Sequence, residues 1–188
     1  MVANPKERLT YEDYVAFTER LENEQRIFEL IDGEIVEKMP SFTPSEIAAY
    51  FIRKLGNYLD VNPIGRLTTP DGGYRLPNGD VMIPDVGFIT KARLPHRPER
   101  EAPVPPDLAI EVKSPTDRVR PLRRKAEKYL EGGTRLVWLV FPEERKIEVY
   151  DLTAEDVFTI DIEGTLQGGD VLPGFTLKVA DIFKSLDD

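Results

Sequence analysis

Polar and apolar positions in the first forty residues predict a short helix followed by a β-hairpin. The helix is predicted from Tyr11 to about Leu21, because Thr10 can act as its N-cap and acidic residues occupy its first turn. Two strand-like runs then flank Asp32-Gly33. This dipeptide between two such runs is typical of a tight hairpin turn.

A longer amphipathic helix is predicted from about residue 44 to Asp60. Thr43 fits its N-cap, Pro44 fits the first helical position, and Glu46 falls at the third position of a capping box. Apolar residues follow at helical spacing: Ile47, Tyr50, Phe51, Leu55, Tyr58 and Leu59. Glu46 is interpreted first as the capping glutamate, and a role as a metal ligand is kept beside it.

Strands and turns are predicted in the middle of the chain. Asn78-Gly79 indicates a type I′ turn between the strand-like runs 74–76 and 81–83. The next apolar run alternates around Asp85, and Pro84 stands just before it. Because a proline inside a strand marks an edge, a bulge or a break, Asp85 is predicted at a backbone irregularity beside a buried segment.

The second half of the chain predicts a strand, a helix and a second strand. Residues 108–112 form a short apolar run between prolines, which favours a buried strand. Residues 117–131 predict a helix that Asp117 can cap and that Gly132-Gly133 stops. Residues 135–141 are continuously apolar, as in a strand covered on both faces. A crossover of this kind usually makes the two strands parallel.

These elements predict the fold class α/β (α+β), with a mixed sheet flanked by helices in a single domain over residues 1–188. A helix and hairpin at 10–40 form an N-terminal attachment, and 43–141 form the core. The rest, 142–188, supplies further strands near 146–150 and 157–162, a last extended piece and a short helix.

Glu111 and Lys113 interrupt the buried strand at two positions that share one face of a strand. Burying a carboxylate and an ammonium costs free energy unless both are compensated. One interpretation is a structural ion pair at the end of the strand. The other is a metal site with a lysine beside it, and the strand alone leaves both open.

Composition narrows the chemistry of such a site. The chain has no cysteine and a single histidine, His96, in a stretch rich in proline and charge. A disulfide framework is excluded and a Zn²⁺ site is disfavoured, whereas carboxylate oxygens suit Mg²⁺ or Mn²⁺. We find no P-loop, dinucleotide-binding glycine motif or nucleophile elbow. Neither a signal peptide nor a membrane span is expected, which suits a cytoplasmic protein.

Charge is distributed unevenly. The net charge of −9 argues against non-specific binding of nucleic acid by the chain as a whole. Basic residues nevertheless concentrate in the run from Lys113 to Lys128, which contains two acids, Asp117 and Glu127. Such a run is either a solvated helix face or a set of phosphate contacts on one side of the protein.

Several segments resemble one bacterial protein family. Pro84-Asp85 followed by Glu111-Val112-Lys113 resembles the signature of the PD-(D/E)XK nuclease superfamily. Pro106-Asp107 precedes Glu111 too closely to span two strands, so Asp85 is taken as the family aspartate. Over about residues 10–185 the chain is similar to an uncharacterised bacterial family described as restriction endonucleases of that superfamily. The segments that carry this similarity are 28–34, 79–85, 106–115, 137–140 and 173–175, with Lys125, Tyr129 and Gly133.

The resemblance implies a restriction-endonuclease-like fold and a metal-dependent DNA endonuclease. It implies that Asp85, Glu111 and the backbone carbonyl of Val112 bind Mg²⁺ or Mn²⁺. It gives Lys113 the role of orienting the attacking water or stabilising the developing charge. Lys125 either reaches the same phosphate or is a surface residue. Contacts to the DNA backbone are assigned to the basic run, namely Arg118, Arg120, Arg123, Arg124 and Lys128.

The resemblance also marks a departure. Family members commonly carry a histidine at the start of the first long helix, where this chain has Pro44-Ser45-Glu46. The place of that histidine is either empty or taken by Glu46, which offers a carboxylate instead.

A second hypothesis is a non-catalytic nucleic-acid-binding or regulatory module that keeps the nuclease fold. The acidic net charge and the lack of a separate target-recognition domain favour it, whereas the complete set Asp85, Glu111 and Lys113 favours the enzyme. RNA ranks below DNA as substrate, because the sequence indicates no aromatic base-stacking platform. An exposed hairpin and apolar strand edges make a homodimer a further prediction.

Overall fold

The computed structural model describes residues 8–187, in which a mixed α+β fold is built on sheets flanked by helices. The first residues, on which the expectation of no signal peptide rests, lie outside this range. The helices are α1 (Tyr11–Thr18), α2 (Phe42–Val61), α3 (Val119–Glu131) and α4 (Val179–Ile182), with 3₁₀ turns at Leu21–Asn23 and Lys184–Asp187. The strands are β1 (Phe28–Ile31), β2 (Glu34–Glu37), β3 (Gly65–Thr68), β4 (Tyr74–Arg75), β5 (Val81–Met82), β6 (Val86–Thr90), β7 (Leu108–Val112), β8 (Leu136–Phe141), β9 (Lys146–Asp151), β10 (Phe158–Ile160), β11 (Thr165–Gln167) and β12 (Thr176–Lys178).

The largest sheet has six strands in the order β10-β9-β8-β7-β6-β3. β7 and β8 are parallel, with Glu111 opposite Leu139, and the other neighbours are antiparallel. The predicted crossover through α3 and the prediction of a mixed sheet are therefore confirmed. α3, which connects these two strands, packs its buried face against the sheet that they form.

β7 divides its side chains between two apolar cores. Leu108, Ile110 and Val112 pack on the face covered by α2 and the C-terminal elements. Ala109 packs on the opposite face, with the buried residues of α3. Glu111 alternates with the first set and therefore points toward α3.

The N-terminal hairpin is joined to a second sheet with the order β2-β1-β5-β4. Asp32 and Gly33 have φ values of 54° and 76°, so the predicted tight turn is confirmed. β1 pairs with β5 through Leu30 and Val81. The hairpin thus extends a sheet of the central region.

Asp85 lies where the chain passes between the two sheets. β5 belongs to the smaller sheet and β6, which starts at Val86, belongs to the larger one. Pro84 and Asp85 form the link between these strands. The predicted backbone irregularity at Asp85 is confirmed: it is the point where the chain leaves the smaller sheet and enters the larger one.

The predicted N-cap of α1 is confirmed, because the Thr10 side chain accepts from the Asp13 N–H, whereas the N-caps predicted for α2 and α3 were wrong. α2 starts at Phe42 after Ser41, so Glu46 lies beyond the capping-box position. Pro44 then falls at the third helical position, where a proline is still tolerated because its missing N–H has no intrahelical partner. α3 starts at Val119, and the Asp117 carboxylate instead accepts from the Ser114 N–H at 2.8 Å, closing the turn before the helix.

The turn after β4 also differs from its prediction. The Gly79 N–H donates to the Leu76 carbonyl at 3.0 Å, and Gly79, with φ of 92°, is left-handed whereas Asn78 is not. Pro77 fixes a negative φ at the first central position, which suits a type I turn and excludes type I′. The strand pair β11–β12 near the C-terminus was only partly predicted, because β11 exposes two of its three residues and carries little apolar signal. Within residues 8–187, no helix is long and apolar enough to cross a membrane.

Candidate active site

A cavity of about 650 Å³ lies between the N-terminal hairpin, the start of α2, the end of β7 and α3. Its lining includes charged side chains from all of these regions except α2, together with the link at Asp85. The central ones are Glu29, Lys38, Asp85, Glu111 and Lys125.

Asp85 is held by two donors. Its Oδ2 accepts from the Val112 N–H at 2.8 Å, and its Oδ1 lies 2.8 Å from the Lys38 ammonium. The β6–β7 ladder ends at Val86 and Ile110, so the Val112 backbone has no strand partner on this side. Since the N–H and C=O of one strand residue face the same neighbour, the Val112 carbonyl faces the edge on which Asp85 lies.

Asp107, the other Pro-Asp carboxylate, lies at the opposite end of β7 from Glu111. It is fully buried before the start of β7, where it pairs with Arg93 at 3.0 Å and accepts from the Thr90 N–H at 2.8 Å. It does not line the cavity. Asp107 therefore has a structural environment of its own, and Asp85 is the Pro-Asp carboxylate near Glu111.

Glu111 is buried between α3 and the hairpin. Its Oε1 accepts from the Tyr129 hydroxyl at 3.0 Å and lies 2.7 Å from the Lys125 ammonium. Lys125 also contacts the Glu29 carboxylate at 2.9 Å. Glu29 in turn accepts from the Ile83 N–H at 2.6 Å, one residue before the Pro84-Asp85 link.

Burial governs the protonation of this cluster. Burial raises the pKa of Glu111 to about 7; the ammoniums of Lys125 and Lys38 oppose that rise, and Asp85 and Glu29 add to it. Burial alone would lower the pKa of Lys125, but the carboxylates of Glu111 and Glu29 outweigh it and raise that pKa. Three carboxylates thus face two ammoniums, which leaves one excess negative charge when all are ionised.

The donor set suits a hard divalent cation. Asp85, Glu111 and the Val112 carbonyl offer oxygen ligands, and a cation would relieve the excess negative charge. Within residues 8–187, no three His, Cys, Asp or Glu side chains are grouped closely enough to form a metal site by themselves. An ion here would have two carboxylates and would complete its shell with backbone oxygen and water, as Mg²⁺ commonly does.

Lys113 is directed away from this cluster. Its ammonium lies 3.2 Å from the Glu143 carboxylate and 3.3 Å from the Ser114 carbonyl, and it does not line the cavity. β7 ends at Val112, so the alternation that aligns positions 111 and 113 within a strand no longer fixes the direction of the side chain.

Lys125 lines the cavity, whereas Glu46 does not. Lys125 is 13% exposed and fixed between two carboxylates, which differs from an exposed surface lysine. Glu46 is half-buried on α2 and does not line the cavity, although its neighbours Pro44 and Ser45 do.

Most of the predicted phosphate-binding residues of α3 have acidic partners. Arg123 contacts the buried Glu148 at 2.5 Å, and Arg124 contacts Glu131 at 2.7 Å. Lys128 is buried and contacts the carboxylates of Asp32 and Asp80. The two residues at the start of the helix differ, since neither has an ion pair among residues 8–187: Arg118, which lines the cavity, and Arg120, which is exposed.

Sequence reasoning missed three members of the cluster. Glu29 carried a signal, because it stands between Phe28 and Leu30 in a predicted strand and so had to face away from their side. Tyr129 was noted only as part of the family resemblance and as an apolar helix position. Lys38 carried no signal, since it follows the hairpin in a short connection without periodicity.

A mixed sheet flanked by helices, with α3 connecting its two parallel strands, is the architecture of a restriction-endonuclease-like fold. The chain belongs to the Uma2 family, whose description is "Putative restriction endonuclease" and whose profile matches residues 11–180.

A solved structure supports the fold. A crystal structure described as "a putative nuclease belonging to DUF820 from Anabaena variabilis ATCC 29413" matches with a TM-score of 0.82 and 20% identity, covering 95% of this chain and 99% of that one. At this identity the match shows the fold alone. A DrdV–DNA complex covers 74% of this chain and 97% of that one at 14% identity, but its TM-score of 0.34 is too low to support an argument. No curated protein matches the chain significantly.

Proposed function

We propose that this protein is a metal-dependent DNA endonuclease that hydrolyses phosphodiester bonds with Mg²⁺ or Mn²⁺. The observation that carries the proposal is the convergence of Asp85 and Glu111 on one cavity at the end of β7. Glu111 comes from β7 and Asp85 from the link between β5 and β6, and the Val112 N–H donates directly to the Asp85 carboxylate at 2.8 Å.

Asp85, Glu111 and the Val112 carbonyl would hold the ion. When bound, the ion supplies Lewis-acid chemistry, polarising a water molecule and a phosphate oxygen. Lys125 favours the ionised form of Glu111, while the Tyr129 hydroxyl fixes the orientation of its carboxylate. Glu29 is the second carboxylate that holds Lys125 in place. These residues pre-organise the cavity for a cation and a phosphate.

DNA is the proposed substrate, and its contacts are proposed at the start of α3. Arg118 and Arg120 support this, because both are exposed and neither forms an ion pair with a carboxylate among residues 8–187. Arg123, Arg124 and Lys128 would have to exchange their carboxylate partners for phosphates. Backbone contacts of this kind position DNA and weaken as salt concentration rises. A homodimer and a ligand role for Glu46 stay predictions.

A plasmid-cleavage assay tests the proposal. Purified protein is incubated with supercoiled plasmid and Mg²⁺ or Mn²⁺, and nicked and linear products are quantified. Asp85→Asn and Glu111→Gln are expected to abolish cleavage while still folding. The matched control is Asp107→Asn, the same chemical change at a buried carboxylate outside the cavity, which is expected to cut like wild type once its folding is checked. Wild type that binds metal but cuts neither plasmid nor single-stranded DNA would refute the enzyme.

A non-catalytic nucleic-acid-binding or regulatory module is the second candidate. It is favoured by the direction of Lys113, whose ammonium pairs with Glu143 instead of facing the carboxylates. In that case the wild type would bind DNA in a salt-dependent manner without cutting it, and Arg118→Ala with Arg120→Ala would weaken that binding.

A further inference from the structure

We infer that Lys38 is the ammonium that contacts the scissile phosphate, in the role that the family resemblance gives to Lys113. The inference rests on the proposed nuclease function and assigns it a residue from the N-terminal hairpin region. Lys38 follows β2, lines the cavity and lies 2.8 Å from Asp85.

Lys38 has a donor to spare. Its ammonium lies against the Asp85 Oδ1 and donates to the Ile83 carbonyl at 2.7 Å. A lysine ammonium has three N–H donors, so these two acceptors leave one for a ligand in the cavity. The side chain is 19% exposed, which makes it reachable from the cavity and still restrains it.

The other lysines near the site are less suited to the role. Lys113 does not line the cavity. Lys125 faces two carboxylates, and its withdrawal toward a phosphate would leave Glu111 and Glu29 buried without a cation. Lys128 is buried against Asp32 and Asp80. Lys38 has one carboxylate partner, whereas Lys125 and Lys128 have two each, so its positive charge is less neutralised and attracts a phosphate more strongly.

The chemical step requires no proton from Lys38. The oxygen of a water molecule forms a bond to phosphorus while one ester P–O bond breaks. The attacking water loses its proton to solvent, and the leaving oxygen takes a proton from solvent. Lys38 stays protonated and donates a hydrogen bond to a non-bridging oxygen, where negative charge accumulates in the transition state.

The lack of cysteine in the chain allows a direct test. Lys38→Cys introduces a unique thiol, which 2-bromoethylamine converts into a side chain with an ammonium at nearly the same distance as in lysine. We expect Lys38→Cys to lower kcat for plasmid cleavage by about 10²-fold with little change in KM, and aminoethylation to restore most of it. The matched control is Lys113→Cys with the same treatment, which is expected to change kcat by less than about five-fold.

Metal binding gives a readout that does not depend on cleavage. Lys38 competes with a dication for Asp85, so Lys38→Cys is expected to bind Mn²⁺ about ten-fold more tightly than wild type, and aminoethylation to reverse the gain. If Lys38→Cys does not fold, as judged by its melting curve, Lys38→Met keeps the aliphatic stem and replaces it in both measurements.

Three results would overturn the inference. Weaker Mn²⁺ binding by Lys38→Cys would show that Lys38 only supports Asp85. Faster cleavage by Lys38→Cys would show that the ammonium blocks the site. Unchanged cleavage with a large loss in Lys113→Cys would return the role to Lys113. In the last two cases wild type still cuts DNA, so the proposed function stands, whereas wild type that binds metal without cutting refutes both.

Discussion

Lys113 pairs with Glu143, in the turn that follows the neighbouring strand β8, with 3.2 Å between its Nζ and the Glu143 Oε2. Glu111, two residues earlier, pairs instead with Lys125 on α3 at 2.7 Å. The two charges that adjoin in the sequence therefore have separate partners. Of the two residues that look like one structural ion pair, the buried Lys113 pairs with an exposed carboxylate and Glu111 belongs to the candidate site.

Replacing Lys113 should cost little stability. Glu143 is 62% exposed, so its pairing with Lys113 is screened by solvent, and Lys113→Met keeps the buried stem. We expect Lys113→Met to lower the free energy of unfolding by less than about 1 kcal/mol in urea titrations. A loss of several kcal/mol would mean that Lys113 compensates a buried charge after all.

Replacing Lys125 should cost much more. Lys125→Met leaves Glu29 and Glu111 buried without their shared cation, which is expected to lower the free energy of unfolding by about 3–5 kcal/mol at pH 8. The double variant Lys125→Met/Glu111→Gln removes one of the stranded charges. It should therefore be more stable than Lys125→Met alone, and equal or lower stability of the double variant would contradict the charge argument.

Glu111 should make stability fall as pH rises. Its pKa is about 7 in the folded protein against an ordinary value of 4.5, so between these values the folded state holds more protons than the unfolded state. The resulting decrease in the free energy of unfolding is complete above pH 7 and amounts to about 3 kcal/mol. Glu111→Gln removes it, and this variant should gain stability relative to wild type from pH 4.5 to 8 in denaturant titrations.

Glu148→Gln provides a control of opposite sign. Burial would raise the pKa of Glu148, but the hydrogen bond and positive charge of Arg123, together with the hydrogen bond from Tyr150, outweigh it and lower that pKa. Its contribution to stability is therefore present at high pH and lost as pH falls through the folded pKa. The difference in free energy of unfolding between Glu148→Gln and wild type should therefore shift against the variant as pH rises from acidic to neutral. The same trend in both variants would refute the assignment for Glu111.

The hairpin turn should tolerate no side chain at Gly33. A Cβ there would lie 2.6 Å from the Arg8 Cβ, and the φ of 76° already disfavours an L-residue. Gly79→Ala is the matched control, because Gly79 also has a positive φ of 92° but has nothing within 4 Å of an added Cβ. We expect Gly79→Ala to cost about 1–2 kcal/mol and Gly33→Ala to cost more, measured by thermal unfolding. Equal losses would show that the Arg8 segment yields without cost.

Periodicity predicted the parts of the fold that are regular. The apolar runs of β7 and β8 and the stripe of α3 follow from strand and helix spacing, and so does the crossover that makes the strands parallel. Asp85 could be assigned only through the family resemblance, because nothing in its spacing from Glu111 shows that a change of sheet brings the two together.

The rest of the site could not be predicted from the sequence. Face alternation describes residues inside an element, so it could not fix Lys113, which lies one residue past the end of β7. Lys38 reaches Asp85 from a connection whose path depends on how the hairpin packs against β5. The basic run of α3 was apparent, but its acidic partners Glu148, Asp32 and Asp80 come from other parts of the chain.

The pairing of the hairpin with β5 also determines when the site can form during folding. Glu29 and Lys38 come from the hairpin, whereas their partners lie in β7, α3 and the link at Asp85. Contacts between such distant parts of the chain carry a large loop-closure cost and form slowly. A partly folded chain can thus bring Asp85 and Glu111 together without the flanking lysine of the hairpin. If Lys38 has the role inferred above, such a partly folded chain would lack one ammonium of the site until the N-terminal segment has docked.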